Sequence, residues 1–321
     1  MQLRHIHIKV PATEASSGIS RTLIALLAAK HQCEAGGFDE MMVYLHGFPD
    51  MSVHPTKVDF ASRVPTRLSE FWLNQQHETR RVAFMTFNFG GIPGSDSELQ
   101  FTDKTISQEV EDVVAVCKHI RSSLLKDKGR VHVVGLSTGA IVGALLREKQ
   151  VCDTITVIAG LLDLTTGVHF DFNTVQLEQI STRGWCWKEF YLPEGCPEPR
   201  DVDLSLDGIN PTTGQIDTTT SSKIYVRLDR RYVAEYTDGS LNIPQAVSRS
   251  ASPPLLVIHG DADQDVPFPN GAELFAAAAE PKTFVAIPHA NHMLSNSKHL
   301  KKALRAIGDH TRVAHLLDRP K

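Results

Sequence analysis

The chain has 321 residues, 41% of them hydrophobic and 22% charged, with a formal net charge of -4. This balance suits a soluble globular protein with a large core, built as one domain with an insertion or as two domains. It leaves no polybasic footprint for nucleic acid and no apolar run near the ~20 residues of an integral membrane span.

Residues 1–10 alternate as a strand does and lack the apolar block of a signal peptide. Thr22 to Ala29 has a helix-forming composition, yet it lies between two strand candidates and is read as a strand. Short apolar runs then mark strands at 41–45, 82–87, 131–134, 154–158, 255–258 and 283–287. Helical patterns fall among them at 57–76, 105–125, 138–149, 270–280 and 296–308. In the second of these, Val110, Val113, Val114, Cys117, Ile120 and Leu124 recur at helical spacing, and Thr105, Ser107 and Glu109 supply N-terminal capping chemistry. The alternation predicts an α/β fold with a mostly parallel central sheet flanked by helices. Each strand ends in a Gly, Asn or Pro-His cluster, at the carboxyl edge where open α/β sheets bind their ligands.

The rhythm breaks at 161–252, which carries Trp185, Trp187, Phe190 and Tyr191 and then a turn-rich, Thr/Ser-rich stretch. It is too long for one structureless loop. We read it as an inserted cap, with 1–160 and 253–321 forming the core domain. The aromatic cluster suits an apolar acyl or aryl group and equally suits a small core for the cap itself.

Five cysteines are thinly spread with no Cys-x-x-Cys pair. Cys33, Cys117 and Cys152 lie in or beside apolar segments, and no histidine stands at zinc-ligand spacing from Cys186 or Cys196. Free thiols point to a reducing compartment, the cytoplasm. No metal or cofactor is expected: the Gly90 to Gly94 stretch has neither a following Walker lysine nor dinucleotide-binding spacing.

The chemistry concentrates at Gly135-Leu136-Ser137-Thr138-Gly139, between an apolar run and a helical one. Strand, Gly-x-Ser-x-Gly, helix is the context of a nucleophile elbow, where a sharp turn forces small neighbours on the serine. A serine needs a base, and the base needs an acid to hold its tautomer. Both follow in that chain order: His259-Gly260-Asp261-Ala262-Asp263-Gln264-Asp265-Val266-Pro267, then Pro288-His289-Ala290-Asn291-His292. With His46-Gly47-Phe48-Pro49 upstream, these motifs resemble the α/β-hydrolase superfamily, in its serine esterase/lipase-like branch related to feruloyl and cinnamoyl esterases.

The resemblance implies the α/β-hydrolase fold and the triad Ser137, Asp263 and His292. Asp163 is the alternative acid, because some members carry it after the preceding strand, and His289 is the histidine that does not match the pattern. It also implies an oxyanion hole from the backbone amides of Phe48 and Thr138, and a structural role for His46. One departure stands out: in Asn88-Phe89-Gly90-Gly91, asparagine replaces the family's acid and glycine its arginine. The expected activity is hydrolysis of an ester or thioester of a small acyl substrate, with the four cap aromatics as candidate substrate contacts. A proline-iminopeptidase-like peptidase, using Glu189, Glu194 and Glu198, and an inactive binding homologue are the alternatives.

Overall fold

The computed structural model describes residues 1–13, 18–30, 37–75, 80–95, 99–193, 223–250 and 252–317. In chain order the elements are β1 (Gln2–Val10), β2 (Arg21–Ala29), β3 (Phe38–Leu45), α1 (Arg63–Leu73), β4 (Val82–Phe87), α2 (Ile106–Ser123), β5 (Leu125–Leu136) and α3 (Thr138–Leu145). They continue with β6 (Thr154–Ile158), α4 (Leu164–Asp171), α5 (Thr174–Arg183), β7 (Trp185–Tyr191), β8 (Lys223–Asp229), α6 (Arg230–Ala234) and α7 (Ile243–Ser248). The chain closes with β9 (Leu255–Gly260), α8 (Phe268–Ala277), β10 (Lys282–Ile287), α9 (Ser297–Thr311) and α10 (Val313–Leu317).

One eight-stranded sheet has the order β1-β2-β4-β3-β5-β6-β9-β10. Pairing is antiparallel for β1 with β2 and β2 with β4, and parallel from β4 through β10. The inner strands are apolar on both faces, as helices on both sides require. Within β3, Met41, Val43 and Leu45 join one core with α2 and α3, while Met42 and Tyr44 join the other with α1 and α9. β2 confirms the strand reading of its Leu/Ala run, since both its faces are buried. α2 starts at a capping box: Thr105 accepts from the Gln108 amide and Gln108 from the Thr105 amide, worth about 1 kcal/mol. Of the three residues predicted to cap, Thr105 does so, whereas Glu109 is buried against Lys104 at 2.9 Å.

The helix predicted from residue 57 begins later. Residues 55–59 bend, Val53 and Phe60 form an isolated bridge, and α1 starts after Ser62. Between β6 and β9 the described elements are α4, α5, the antiparallel β7–β8 pair, α6 and α7, and none of them joins the large sheet. The fully buried Arg147 ties this insert back to the core. Its guanidinium donates to the carbonyls of Val247 in the last turn of α7, Pro253 before β9 and Ala279 after α8. Among the described residues, no helix is long and apolar enough to cross a membrane.

Candidate active site

The turn from β5 into α3 places Ser137 at φ 56° and ψ -122°. A non-glycine residue there is strained, by an amount on the order of 1–3 kcal/mol. Ser137 is pinned by its amide to the Ile158 carbonyl (3.0 Å), and its own carbonyl takes the Ala140 amide (2.8 Å). The flanking glycines are needed for close approach. A Cβ on Gly135 would overlap the Gly139 carbonyl, and one on Gly139 would sit 2.7 Å from the His46 oxygen. A Cβ on Gly47 would lie 3.1 Å from that of Ser137, so the loop after β3 runs directly past the serine.

The structure brings the candidate acid and base together. Asp263 follows β9 and His292 follows β10, and the His292 Nδ1 lies 2.9 Å from the Asp263 Oδ2. The other Asp263 oxygen accepts from the amides of Asp265 (3.0 Å) and Val266 (2.9 Å), which fixes the carboxylate. The His259 Nε2 stands 2.9 Å from the Val266 carbonyl and 3.5 Å from the Asp263 Oδ2. A carbonyl only accepts, so His259 carries its proton on Nε2 and adds a second donor beside the acid. Burial alone would lower the His292 pKa, but the Asp263 carboxylate more than offsets this and raises it above the ordinary value. Burial is the largest influence on Asp263 and opposes its charge, but the hydrogen bond and charge of His292, the Val266 amide and His259 together outweigh it and hold that pKa down. A carboxylate oxygen of Asp263, one of Asp265 and a ring nitrogen of His292 gather within 4.8 Å, so Asp265 adds negative potential at the imidazole.

The alternatives are engaged elsewhere. Asp163 is exposed and caps α4, accepting from Thr165 and Thr166. Asp261 accepts from the His289 amide at 2.5 Å, a backbone tie between two turns.

The loop after β3 supplies the candidate oxyanion donors. The Phe48 amide donates to no protein acceptor among the described residues, and the Thr138 amide opens α3, where helix N–H groups are free. The Thr138 hydroxyl is buried without a partner among the described residues. His46 accepts the Phe89 amide on Nε2 (3.4 Å) and donates from Nδ1 to the Gly47 carbonyl (2.8 Å). Burial pushes its pKa down to about 3. It is a neutral residue that shapes the loop.

A sequence model described as the alpha/beta hydrolase family matches residues 42–301. The chain belongs to the alpha/beta hydrolase family. No curated protein matches it in sequence. Its fold is similar to that of the esterase domain of a Rhodothermus marinus protein, at 19% identity and a TM-score of 0.58 over 97% of this chain and 98% of that one. It is also similar to Est1E from Butyrivibrio proteoclasticus with ferulic acid bound, at 17% identity and 0.60 over 97% and 99%. A third likeness is alpha/beta hydrolase domain-containing protein 10 from mouse, at 16% identity and 0.56 over 96% and 98%.

The departure from the family's loop after β4 has a structural account. Asn88 accepts the amides of Ser52 and Val53 on Oδ1 (both 2.9 Å) and donates to the carbonyls of Val53 (2.8 Å) and Pro93 (3.0 Å). An acid could not make the last two bonds. The space beside Gly90 is filled by Arg21 of β2, whose Nε reaches Asp112 at 2.5 Å. A guanidinium is thus present, supplied by another strand. Asn88→Asp should cost about 3 kcal/mol, since it sets a buried carboxylate against two orphaned carbonyls. An unchanged urea midpoint would show that Asn88 is not the tie.

Among the four aromatic candidates, the structure separates one from three. β7 alternates, so Cys186, Lys188 and Phe190 are buried, while Trp185 and Trp187 are half-buried and Tyr191 is exposed. Phe190 packs edge-on to Phe101 (5.7 Å), which stacks on Phe48 (5.6 Å). Trp185 instead lies against Arg183 (3.7 Å), Arg227 (4.8 Å) and Trp187 (5.2 Å). Period-two alternation in Trp-Cys-Trp-Lys-Glu-Phe-Tyr was the signal that separates these faces. The residues that wall Phe48 were not found from sequence: Tyr232 stacks on it at 4.6 Å, with Phe172 and Tyr236 beyond. Cys117, Cys152 and Cys186 are free and buried, whereas Cys33, Cys196, Glu194 and Glu198 lie outside the described residues.

Proposed function

We propose that this protein is a serine hydrolase that cleaves a carboxylic ester or thioester of a small, apolar acyl substrate through an acyl-enzyme. The observation that carries the reading is the strained Ser137 turn together with the 2.9 Å His292–Asp263 bond. Ser137 Oγ attacks the substrate carbonyl and gives its proton to His292. Because Nδ1 is committed to Asp263, Nε2 is the nitrogen left to receive it. The Phe48 and Thr138 amides hold the oxyanion, each donor being worth roughly 10²–10³ in rate. Collapse expels the alcohol or thiol, which takes the proton from His292. Water then repeats the sequence on the acyl-enzyme and releases the acid.

The insert between β6 and β9 serves as a cap, with Phe190 and its ring neighbours forming the apolar wall at Phe48. One of the fold's solved likenesses is described as an esterase domain and another holds ferulic acid, which supports the ester class. The test is a fluorophosphonate probe together with a short-chain aryl ester. Wild type should label at Ser137 and turn the ester over, and Ser137→Ala should do neither. Labelling at another residue, or equal turnover in both proteins, would sink the assignment.

A further inference from the structure

The inner face of the insert holds a charge that packing does not require. Lys188 is 8% exposed. Its ammonium donates to the carbonyl of Asp171, the last residue of α4. A cation suits a helix C-terminus, but that carbonyl uses only one of three N–H donors. Among the described residues the ammonium makes no other hydrogen bond, and none offers it a carboxylate at ion-pair distance. What surrounds it is aromatic: the Phe172 centroid at 4.5 Å and the Phe48 centroid at 5.5 Å. Burial depresses its pKa, and the Asp171 charge works the other way. An apolar side chain would fill the same volume without leaving buried donors unpaired.

The place of this ammonium gives it a use. Phe48 is the candidate oxyanion residue, and its ring is shared between Lys188 and Tyr232. Phe48, Ser137 and Asp171 are each only half-buried, among rings that are fully covered. Gly47, beside Phe48, runs directly past Ser137, so the chain of contacts leads from the serine through Phe48 to the Lys188 ammonium. Asp171 accepts from the Tyr236 hydroxyl at 2.6 Å and lies within electrostatic range of both Lys188 and His292. The negative charge nearby balances the ammonium, so its missing partner need not be an anion.

We propose that Lys188 is a substrate-binding residue whose ammonium donates hydrogen bonds to a second oxygen function, a carbonyl or carboxylate oxygen, on the acyl group. The proposal rests on the serine-hydrolase reading and narrows its substrate from a plain alkanoyl ester to an oxygenated one. A group that has only donors selects a partner that accepts, and a buried polar group discriminates strongly against an analogue lacking that partner.

The test compares para-nitrophenyl hexanoate, its terminal methyl-ketone analogue and the para-nitrophenyl hydrogen adipate, corrected for spontaneous hydrolysis. Wild type should favour at least one oxygenated ester over hexanoate by tenfold or more in kcat/KM, mainly through KM. A preference for the ketone alone identifies a neutral carbonyl, and one for the adipate alone identifies a carboxylate; both support the proposal. In Lys188→Met the preference should fall to about unity, and Lys188→Arg should restore part of it. Equal rates on all three esters in wild type, or a preference that survives in Lys188→Met, overturns it. Binding gives an independent readout: Ser137→Ala should bind the keto acid or adipate at least tenfold more tightly than hexanoate by calorimetry. That measurement stands even if no ester is turned over, so failure of the hydrolase reading and failure of the Lys188 assignment are told apart. Equal binding of the three acids would overturn the assignment.

Discussion

Asp263→Asn is expected to lower kcat on an aryl ester by about 10⁴-fold with little change in KM. The asparagine carbonyl can still take the amides of Asp265 and Val266, which now anchor one carboxylate oxygen. That leaves an NH₂ group facing the His292 Nδ1. Two donors cannot pair, so the imidazole moves its proton to Nε2 and can no longer take one from Ser137. The negative charge that stabilises the imidazolium is lost as well. The surviving activity should show a second signature. His292 must be neutral to act as the base, and its pKa is held up by Asp263 first among the carboxylates, then by Asp265 and Asp171. Without Asp263 the acid limb of kcat/KM therefore moves to lower pH. Asp163→Asn should change kcat by less than about threefold, because that carboxylate is spent on Thr165 and Thr166. Asp265→Asn should cost less than tenfold and shift the acid limb in the same direction by less. A large loss at Asp163 with a small one at Asp263 would move the acid to the other strand end.

The contrast between these aspartates shows what a sequence reveals here. Asp263 and His292 are legible because each sits at a fixed offset from a glycine or asparagine that the turn itself requires, so chemistry and backbone leave one joint pattern. The parallel strands are legible for a related reason. They are buried on both faces and read as unbroken apolar runs between turn residues. β2 was the hard case, since Leu and Ala favour helix, and only its burial between β1 and β4 decides the matter. The insert offers no such pattern. β7 and β8 pair across residues 192–222, so neither strand carries a local mark of the other. α4 and α5 are short and begin at Asp163 and Asn173, side-chain caps that resemble any polar turn. Lys188 and Asp171 lie far apart in sequence and belong to no motif. Only the folded insert shows that Lys188 donates to the Asp171 carbonyl and borders Phe48.

Gly135→Ala should be the most damaging single methyl that can be added to this chain near the site. The new Cβ would overlap the Gly139 carbonyl group and approach the Ala140 nitrogen at 2.9 Å. All of these are backbone atoms of the first turn of α3, so no side chain can rotate away. Every residue of α3 is buried, and shifting that turn would drag the helix out of contact with β5 and β6. Ordinary overpacking costs about 1–3 kcal/mol. An overlap that only backbone movement can relieve should exceed that, reaching about 4 kcal/mol against a native stability on the order of 5–15 kcal/mol. Whatever fraction still folds must do so with Ser137 displaced, so its kcat should fall further than the folded fraction does. Gly143→Ala, one turn along the same helix, is the matching control. Its Cβ would meet Val157 Cγ1 at 3.4 Å and Ile155 Cγ2 at 3.7 Å, ordinary contacts, and alanine favours the helix by up to about 1 kcal/mol. That variant should unfold in urea at or slightly above the wild-type midpoint and keep its activity. If Gly135→Ala melted like wild type, the close approach of strand and helix at the elbow would be wrong. The φ of 56° at Ser137 would then lose its cause, because neither flanking glycine has a positive φ and the turn's strain falls on the serine alone.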